Sequence, residues 1–133
     1  ELVCRAQGGW PDAPGAGWPT WAFENHDAPR AVSRWNFGTH RNEFLRLKAA
    51  VLATLRGNII LYQGEELGLG QVEIPFELVK DPEALRNWPL TLSRDGARTP
   101  MPWLGDAPNC GFASATPWLP LGSDHCDLAV DRQ

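Results

Sequence analysis

The sequence lacks the features that indicate a nucleic-acid-binding or membrane protein. Its 12 Lys and Arg residues are outnumbered by 16 Asp and Glu residues, which gives a formal net charge of -4. No block of basic residues is present to bind phosphate backbones. The longest apolar stretches, at 48–55 and 58–62, are far shorter than the roughly 20 residues that a membrane span requires. We therefore expect no nucleic-acid partner and no membrane partner.

Cysteine is scarce, and no targeting signal can be read. Cys4, Cys110 and Cys126 are an odd number without a C-x-x-C pair. This spacing is typical neither of a complete disulfide framework nor of a zinc cluster, so we expect reduced thiols, no metal and no other cofactor. The chain begins at Glu1 without a basic or apolar leader, so we expect a truncated chain. The sequence indicates no compartment beyond a slight preference for the cytoplasm.

The composition that remains is that of a folded globular protein with long loops. Hydrophobic residues make up 43% and charged residues 21% of 133 residues, which suits one domain or part of one. The chain contains seven Trp residues but only one Tyr residue. The 13 Gly and 12 Pro residues form about a fifth of the chain, against an ordinary ~12%. Long, ordered, Trp-rich loops are the expected consequence.

The middle of the chain predicts a strand–helix–strand unit over 21–66. A short apolar strand at 21–23 precedes a polar cluster, and a continuous apolar run at 58–62 is typical of a strand covered on both faces. Between them, apolar residues at helical spacing predict an amphipathic helix over 40–56 that begins after Thr39 and ends at Gly57. The apolar stripe comprises Phe44, Leu47, Val51, Leu52 and Leu55, and Lys48 lies off it.

The flanking regions show no long periodicity. Residues 1–20 are predicted to be an irregular approach loop, and residues 67–133 a long loop region that builds an active site. In parallel strand–helix–strand units, function gathers at the carboxyl ends of the strands. We therefore expect the chemistry at the polar segments 24–27 and 63–66.

The cluster Asn25, His26 and Asp27 follows the first predicted strand directly. In the functional interpretation, Asp27 is a carboxylate at a sugar site and His26 donates to a sugar hydroxyl. In the structural alternative, Asp27 caps a turn before a proline and His26 is a structural donor. Arg30 and Arg34 are close enough in sequence to favour the charged form of Asp27, or they are solvated arginines.

Further carboxylates and guanidinium groups could complete a sugar site. A glycosidase needs two carboxyl groups, about 5 to 5.5 Å apart for retention, and from the residues alone Asp27 and Glu65 would be the pair. A structural salt bridge is the alternative for Glu65. Arg94 and Arg98 flank a tight glycine turn, which suits them to grip several hydroxyls or else to tie down the loop through an internal ion pair.

Four segments, in this order, resemble the α-amylase superfamily (glycoside hydrolase family 13), in its α-glucosidase and oligo-1,6-glucosidase branch. They are WPTWAFENHDAPRAVSRW at 18–35, LYQGEELGL at 61–69, RDGARTPMPW at 94–103 and NCGFASATPWLPL at 109–121. The resemblance implies an α/β fold, a partial (β/α)8 TIM barrel running from strand 7 to the start of helix 8. It also implies that residues 1–133 are a C-terminal portion whose partner is a missing N-terminal barrel half in the same chain.

The resemblance implies an α-glucosidase that removes terminal α-linked glucose from maltose-type or isomaltose-type oligosaccharides with retention. Asp27 matches the family's aspartate that stabilises the transition state. His26, Asn25, Arg98 and, less strongly, Arg94 would bind the substrate. Glu65 would then be a support residue and not half of a catalytic pair. Motifs for the nucleophile and the acid/base are absent, so these 133 residues alone are expected to be inactive.

Two alternatives stay open. One is an isomerase or transglucosylase of the same superfamily, of the trehalose or isomaltulose synthase type. The other is a non-catalytic, glucosidase-like subunit in which the barrel is an interaction module. The joint presence of Asn25, His26, Asp27 and Arg98 argues against the second, because a pure scaffold does not need that set.

Overall fold

A computed structural model of the chain describes residues 1–8, 15, 17–35, 38–91 and 93–133. The helices are α1 (Leu2–Gly8), α2 (Ala31–Trp35), α3 (Arg41–Thr54) and α4 (Pro82–Asn87). The strands are β1 (Thr20–Trp21) and β2 (Asn58–Ile59). Short 3-10 turns lie at Gly38–His40, Phe76–Leu78, Arg94–Ala97, Pro108–Gly111 and Val130–Arg132.

The predicted strand–helix–strand unit is present. β1 and β2 are parallel, with Thr20 opposite Asn58 and Trp21 opposite Ile59, and α3 connects them. Both strands are shorter than the predicted 21–23 and 58–62. After β2 the Ile60 amide still donates to the Trp21 carbonyl at 2.9 Å, but the Tyr62 amide donates to the Glu65 carboxylate at 3.1 Å instead of to a strand.

Helix α3 covers Arg41–Thr54, inside the predicted 40–56, but its apolar stripe is only partly correct. Its N-cap is His40 and not Thr39. Leu47, predicted to face the core, is 63% exposed, whereas Lys48 is only 5% exposed. Lys48 is buried because its ammonium group lies between two interior carboxylates, Glu24 and Glu65. A pattern based on hydrophobicity alone misses such a buried cation.

The prediction that the helix ends at Gly57 is wrong, since α3 ends at Thr54 with an extended C-cap at Leu55, but a glycine is required at position 57. Its φ is +138°, and a Cβ atom at this position would lie 2.4 Å from the carbonyl oxygen of Pro19. A side chain would therefore push β1 away from the segment that leads into β2.

The prediction that the second strand is covered on both faces is wrong for this chain. Ile59, Ile60 and Leu61 are 44%, 53% and 56% exposed. Within the described residues β2 pairs only with β1, so no neighbour covers its other edge. An apolar cavity of about 510 Å³ lies beside this edge, bounded by α3, β2 and Leu67.

The first 20 residues are not entirely irregular. Leu2–Gly8 forms helix α1, although its sequence shows no sustained period. Residues 9–14 and 16 of the predicted approach loop lie outside the described residues. In the described ranges no helix has the length and apolar character needed to cross a membrane.

The long region after β2 has a packed interior of its own. One cluster consists of Ile74, Val79, Ala84 and Leu119 with Val72, and the other of Leu67, Leu69 and Met101 with Leu128. Both clusters come from short turns and one short helix, as the lack of long periodicity predicts. This interior gives the loops the order that a site needs.

The expectation of reduced thiols is wrong for two of the three cysteines. Cys110 and Cys126 form a disulfide with Cα atoms 5.2 Å apart, whereas Cys4 is free and exposed. The Cys110 carbonyl accepts from the Trp103 and Leu104 amides at 2.8 and 3.0 Å, which folds the preceding segment back on itself. The Pro102 and Trp103 carbonyls of that segment accept from the Val130 and Asp131 amides at 3.2 Å each, which holds the segment after Cys126 beside it. Spacing alone does not reveal a bond between sulfurs 16 residues apart.

Candidate active site

Asp27 lies at the centre of a cluster of charged side chains beyond the carboxyl end of β1. Its Oδ1 atom accepts from Arg94 Nη1 at 3.2 Å and from Arg98 Nη2 at 3.1 Å. Its Oδ2 atom lies 3.4 Å from His26 Nε2. The Asp27 side chain nevertheless remains 54% exposed. The carboxylate is therefore held in one orientation and is still accessible from solvent.

Asn25 shapes the loop that carries Asp27. Its Oδ1 atom accepts from the backbone amides of Asp27 at 2.8 Å and Ala28 at 2.9 Å. A side-chain oxygen that binds the two following amides makes a tight Asx-type turn. Here the side chain of Asn25 fixes the backbone of Asp27, a role that the proposed sugar contact did not include.

Residues that follow β2 hold the two arginines against Asp27. The Tyr62 hydroxyl donates to the Ala97 carbonyl at 3.1 Å, and Gln63 Nε2 donates to the Thr99 carbonyl at 3.3 Å. The turn between the arginines includes Gly96, where a Cβ atom would lie 2.2 Å from the Val72 carbonyl. The carboxyl ends of both strands thus meet at this cluster, as expected for a parallel unit.

The two arginines make different contacts. Arg98 donates from Nε to the His26 carbonyl at 2.9 Å, so it binds both the backbone and the side chain of the 26–27 segment. Arg94 uses Nε and Nη2 to bind both carboxylate oxygens of Asp81, at 2.9 and 2.6 Å. Arg94 therefore forms an ion pair that ties down the loop, but its partner is Asp81 and not Asp95 of the loop itself, and Arg94 also reaches Asp27.

Of the two interpretations that the sequence left open for Arg30 and Arg34, pairing with Asp27 is not observed, and Arg30 is not solvated either. The Arg30 side chain is fully buried, donates to the Glu24 carboxylate at 3.2 Å and lies 4.6 Å over the Tyr62 ring. Arg34 donates to the Phe23 carbonyl. Closeness in sequence does not produce a contact here, because Arg30 directly precedes α2 and Arg34 lies within it, and both guanidinium groups bind partners other than Asp27.

Glu65 is not part of the site, so the pair of Asp27 and Glu65 is wrong. Glu65 is 3% exposed, its Oε1 atom lies 2.9 Å from Lys48 Nζ, and its Oε2 atom accepts from the Tyr62 amide. An ion pair and a hydrogen bond therefore hold this carboxylate inside the fold. Its position agrees with the support role that the resemblance implied.

Asp81 is the residue of this region that the sequence reasoning missed. It is 1% exposed, and hydrogen bonds from Arg94 hold the pKa of its carboxyl far below the usual value despite burial. The same pairing with Asp81, and less strongly with Asp27, raises the pKa of Arg94. The D-P-E pattern at 81–83 is typical of a helix start, so it could have identified the cap, but not the distant arginine.

We find no cluster of three or more His, Cys, Asp or Glu residues that could hold a metal ion within the described part of the chain. The chemistry available here is that of one oriented carboxylate, two guanidinium groups and one imidazole. Such a set can stabilise positive charge and donate hydrogen bonds to hydroxyls.

Comparison with known proteins identifies the family. Residues 8–133 match the family model described as the alpha amylase catalytic domain. This chain belongs to the α-amylase family. The catalytic domain of that family is a TIM barrel, and the parallel β1–α3–β2 unit is part of such a fold.

Two relatives and one solved structure illustrate the match. The chain is 48% identical over 118 residues to a probable alpha-glucosidase of Rhizobium meliloti (strain 1021), covering 88% of this chain and 21% of that protein. It is 34% identical over 135 residues to an oligo-1,6-glucosidase of Parageobacillus thermoglucosidasius, covering 87% and 24%. The crystal structure of an alpha-glucosyl transfer enzyme superposes with a TM-score of 0.85 at 47% identity, covering 98% of this chain and 23% of that one. The chain therefore spans about a quarter or less of the length of these α-amylase family proteins.

Proposed function

We propose that this chain supplies part of the active site of an α-glucosidase that releases terminal α-linked glucose with retention. Asp27 is the carboxylate that stabilises the transition state. The observation that carries the proposal is the state of Asp27, which is ion-paired to Arg94 and Arg98 but still half exposed at the end of a barrel strand. The names of the relatives, α-glucosidase and oligo-1,6-glucosidase, support the substrate class.

Asp27 would act through its charge and not through proton transfer. Glycoside cleavage passes through an oxocarbenium-like transition state, in which positive charge develops on the anomeric carbon. A carboxylate that is already oriented stabilises this charge without reorganisation during the reaction. Because both arginines bind Oδ1, the Oδ2 atom is the one available to face the sugar ring.

The neighbouring side chains would bind the glucose. His26 is 66% exposed beside Oδ2, so its ring nitrogen can donate to a hydroxyl next to the reacting carbon. Arg98, with a side chain that is 26% exposed, would grip the terminal glucose. Arg94 and Asn25 also belong to the proposed substrate-binding residues, and they would contribute chiefly by orienting Asp27.

We further propose that the chain provides strand 7, its helix, strand 8 and the loop before helix 8, with residues 67–133 as the active-site loop region. β1 would be strand 7 and β2 strand 8. The exposed edge of β2 and the apolar cavity beside it are where an adjacent barrel strand and helix would pack. The nucleophile and the acid/base would lie in the remaining part of the same barrel, so we infer that the 133 residues are inactive alone.

The proposal is tested by Asp27→Asn in the full-length enzyme. We expect kcat on maltose or isomaltose to fall at least about a hundredfold, equivalent to about 2.7 kcal/mol of transition-state stabilisation, with substrate binding largely retained. Asp127→Asn is the matched control, since Asp127 is also an aspartate paired with an arginine but has a side chain 80% exposed. Near-normal turnover by Asp27→Asn would refute the assignment of Asp27, whereas a wild-type full-length protein without activity on α-glucosides would favour a non-catalytic role for the barrel.

A second candidate is a transferring or isomerising enzyme of the same family. The similarity to an alpha-glucosyl transfer enzyme, at 47% identity, favours it specifically. Hydrolysis and transfer share the step that Asp27 would stabilise and differ in the acceptor that attacks afterwards. Product analysis on maltose and on sucrose distinguishes them, because a hydrolase yields free glucose whereas a transferase or isomerase yields new glucosides.

A further inference from the structure

Arg94 joins a buried carboxylate to the exposed carboxylate of the site. Its Nε and Nη2 atoms, which share one edge of the planar guanidinium, both bind Asp81. This leaves Nη1, and Nη1 is the atom that donates to Asp27 Oδ1 at 3.2 Å. A guanidinium bound on one edge by two parallel hydrogen bonds cannot rotate without breaking both. The position of Asp81 therefore fixes the direction in which Nη1 points.

Asp81 is itself held rigidly by the backbone around it. It is the N-cap of α4, where Oδ1 accepts from the Glu83 amide at 3.1 Å, and Oδ2 accepts from the Arg94 amide at 3.0 Å. The carboxylate of Asp95, also 1% exposed, accepts from the Lys80 and Asp81 amides at 2.6 and 2.8 Å. These bonds tie the start of α4 to the arginine turn from both sides.

We propose that Asp81 is a positioning residue that orients Asp27 through Arg94 and so contributes to turnover without contacting the substrate. This inference rests on the proposed role of Asp27. Arg98 reaches Asp27 by an independent route, through its own bond to the His26 carbonyl. Loss of Asp81 would thus leave Asp27 with one fixed guanidinium partner instead of two, and the carboxylate would rotate away from the reacting carbon in part of the population.

A purely structural role for Asp81 predicts a different result. If Asp81 serves only to cap α4 and stabilise the loop, its removal lowers Tm but leaves the kcat of the folded protein unchanged. If Asp81 acts through Asp27, kcat falls more than KM changes. Moreover, the effect disappears once the Asp27 carboxylate has been removed, since residues acting in one chain of contacts are not additive.

The experiment is a double-mutant cycle with Asp81→Asn and Asp27→Asn in the full-length enzyme. Asparagine keeps the size of Asp81 and its capping oxygen but removes the charge. We expect Asp81→Asn to lower kcat by about tenfold to a hundredfold, as small misplacements of catalytic groups do, with KM within about threefold. In the Asp27→Asn background we expect a further loss of less than about twofold. Asp131→Asn is the matched control, because Asp131 also accepts from a backbone amide, that of Gly105 at 2.9 Å.

Two other outcomes are possible, and one contradicts the role of Asp81 whereas the other contradicts the role of Asp27. Unchanged kcat in folded Asp81→Asn, or an equal loss in both backgrounds, overturns the positioning role while leaving the role of Asp27 intact. Near-normal turnover by Asp27→Asn alone refutes the proposed function instead. If Asp81→Asn does not fold, Asp81→Glu replaces it in the cycle. Glutamate keeps the charge but is one methylene longer, so it shifts the Arg94 guanidinium that it binds. The same loss of kcat and the same non-additivity are expected, and additive losses overturn the inference.

Discussion

The ammonium nitrogen of Lys48 lies 2.9 Å from Oε1 of Glu65, and the two side chains are only 3% and 2% exposed. The same ammonium lies 3.0 Å from Glu24, whose other oxygen accepts from the fully buried Arg30 at 3.2 Å. Two cations and two carboxylates therefore alternate in the interior, between α3 and the two strand ends. The four charges sum to zero. Each buried charge is nevertheless stable only while its oppositely charged partners are present.

Replacement of Lys48 is expected to be strongly destabilising. Lys48→Met keeps much of the side-chain length but leaves Glu65 buried without its cation, and breaking a buried pair in this way costs about 3–5 kcal/mol. The midpoint of urea unfolding of the full-length protein should fall accordingly. Lys80→Met, at an exposed lysine, is the control and should shift the midpoint little.

The double variant Lys48→Met with Glu65→Met tests the mechanism of this loss. Its destabilisation should be smaller than the sum of the two single losses, because the second substitution removes the charge that the first left uncompensated. Strict additivity would mean that the two groups do not interact in the folded protein.

The disulfide between Cys110 and Cys126 should stabilise the region around the left-handed residues Asn109 and Cys110, whose φ values are 52° and 49°. Closing a loop of this length restricts the unfolded chain by about 3 kcal/mol. Cys110→Ser and Cys126→Ser should each lower Tm to the same extent, and reductant should remove the difference from wild type. Cys4→Ser is the control, since Cys4 is free and exposed. A wild-type Tm that is insensitive to reductant would contradict the prediction.

Features that depend on local sequence pattern were predicted correctly. The burial and the partners of charged side chains were not, because residues distant in sequence determine them. The parallel unit and α3 followed from periodicity, and Asp27, Arg94 and Arg98 were nominated from their residue types and from the family resemblance. The burial of Lys48 was missed because its partners come from two separate loops. Whether Arg30 and Arg34 pair with Asp27 stayed open because the direction of a side chain at the start of a helix such as α2 is set by tertiary packing. Arg94, the partner of Asp81, lies 13 residues away on the far side of α4, so no helical spacing indicates the contact.

His125 is a buried imidazole whose environment disfavours its charged form. Its side chain is fully buried, and within the described part of the chain neither ring nitrogen has a hydrogen-bond partner. Burial lowers the pKa of His125 below its ordinary value of about 6.5, while the Asp124 carboxylate opposes this shift and Arg30 adds to it. The folded protein therefore holds this histidine neutral at a pH where the unfolded chain binds a proton.

The free energy of unfolding should consequently fall as the pH decreases below about 6.5, the pKa of His125 in the unfolded chain. The loss should continue until the pH reaches the lower pKa of the folded state, with a slope of at most about 1.4 kcal/mol per pH unit for one proton. His125→Phe removes the titrating group while keeping a ring in the interior, so its stability should depend less on pH between 7 and 5. Urea unfolding at several pH values measures this dependence. His40→Gln serves as the control because His40 is exposed, and it should keep the slope of the wild type; an unchanged slope in His125→Phe would show that other groups cause the acid sensitivity.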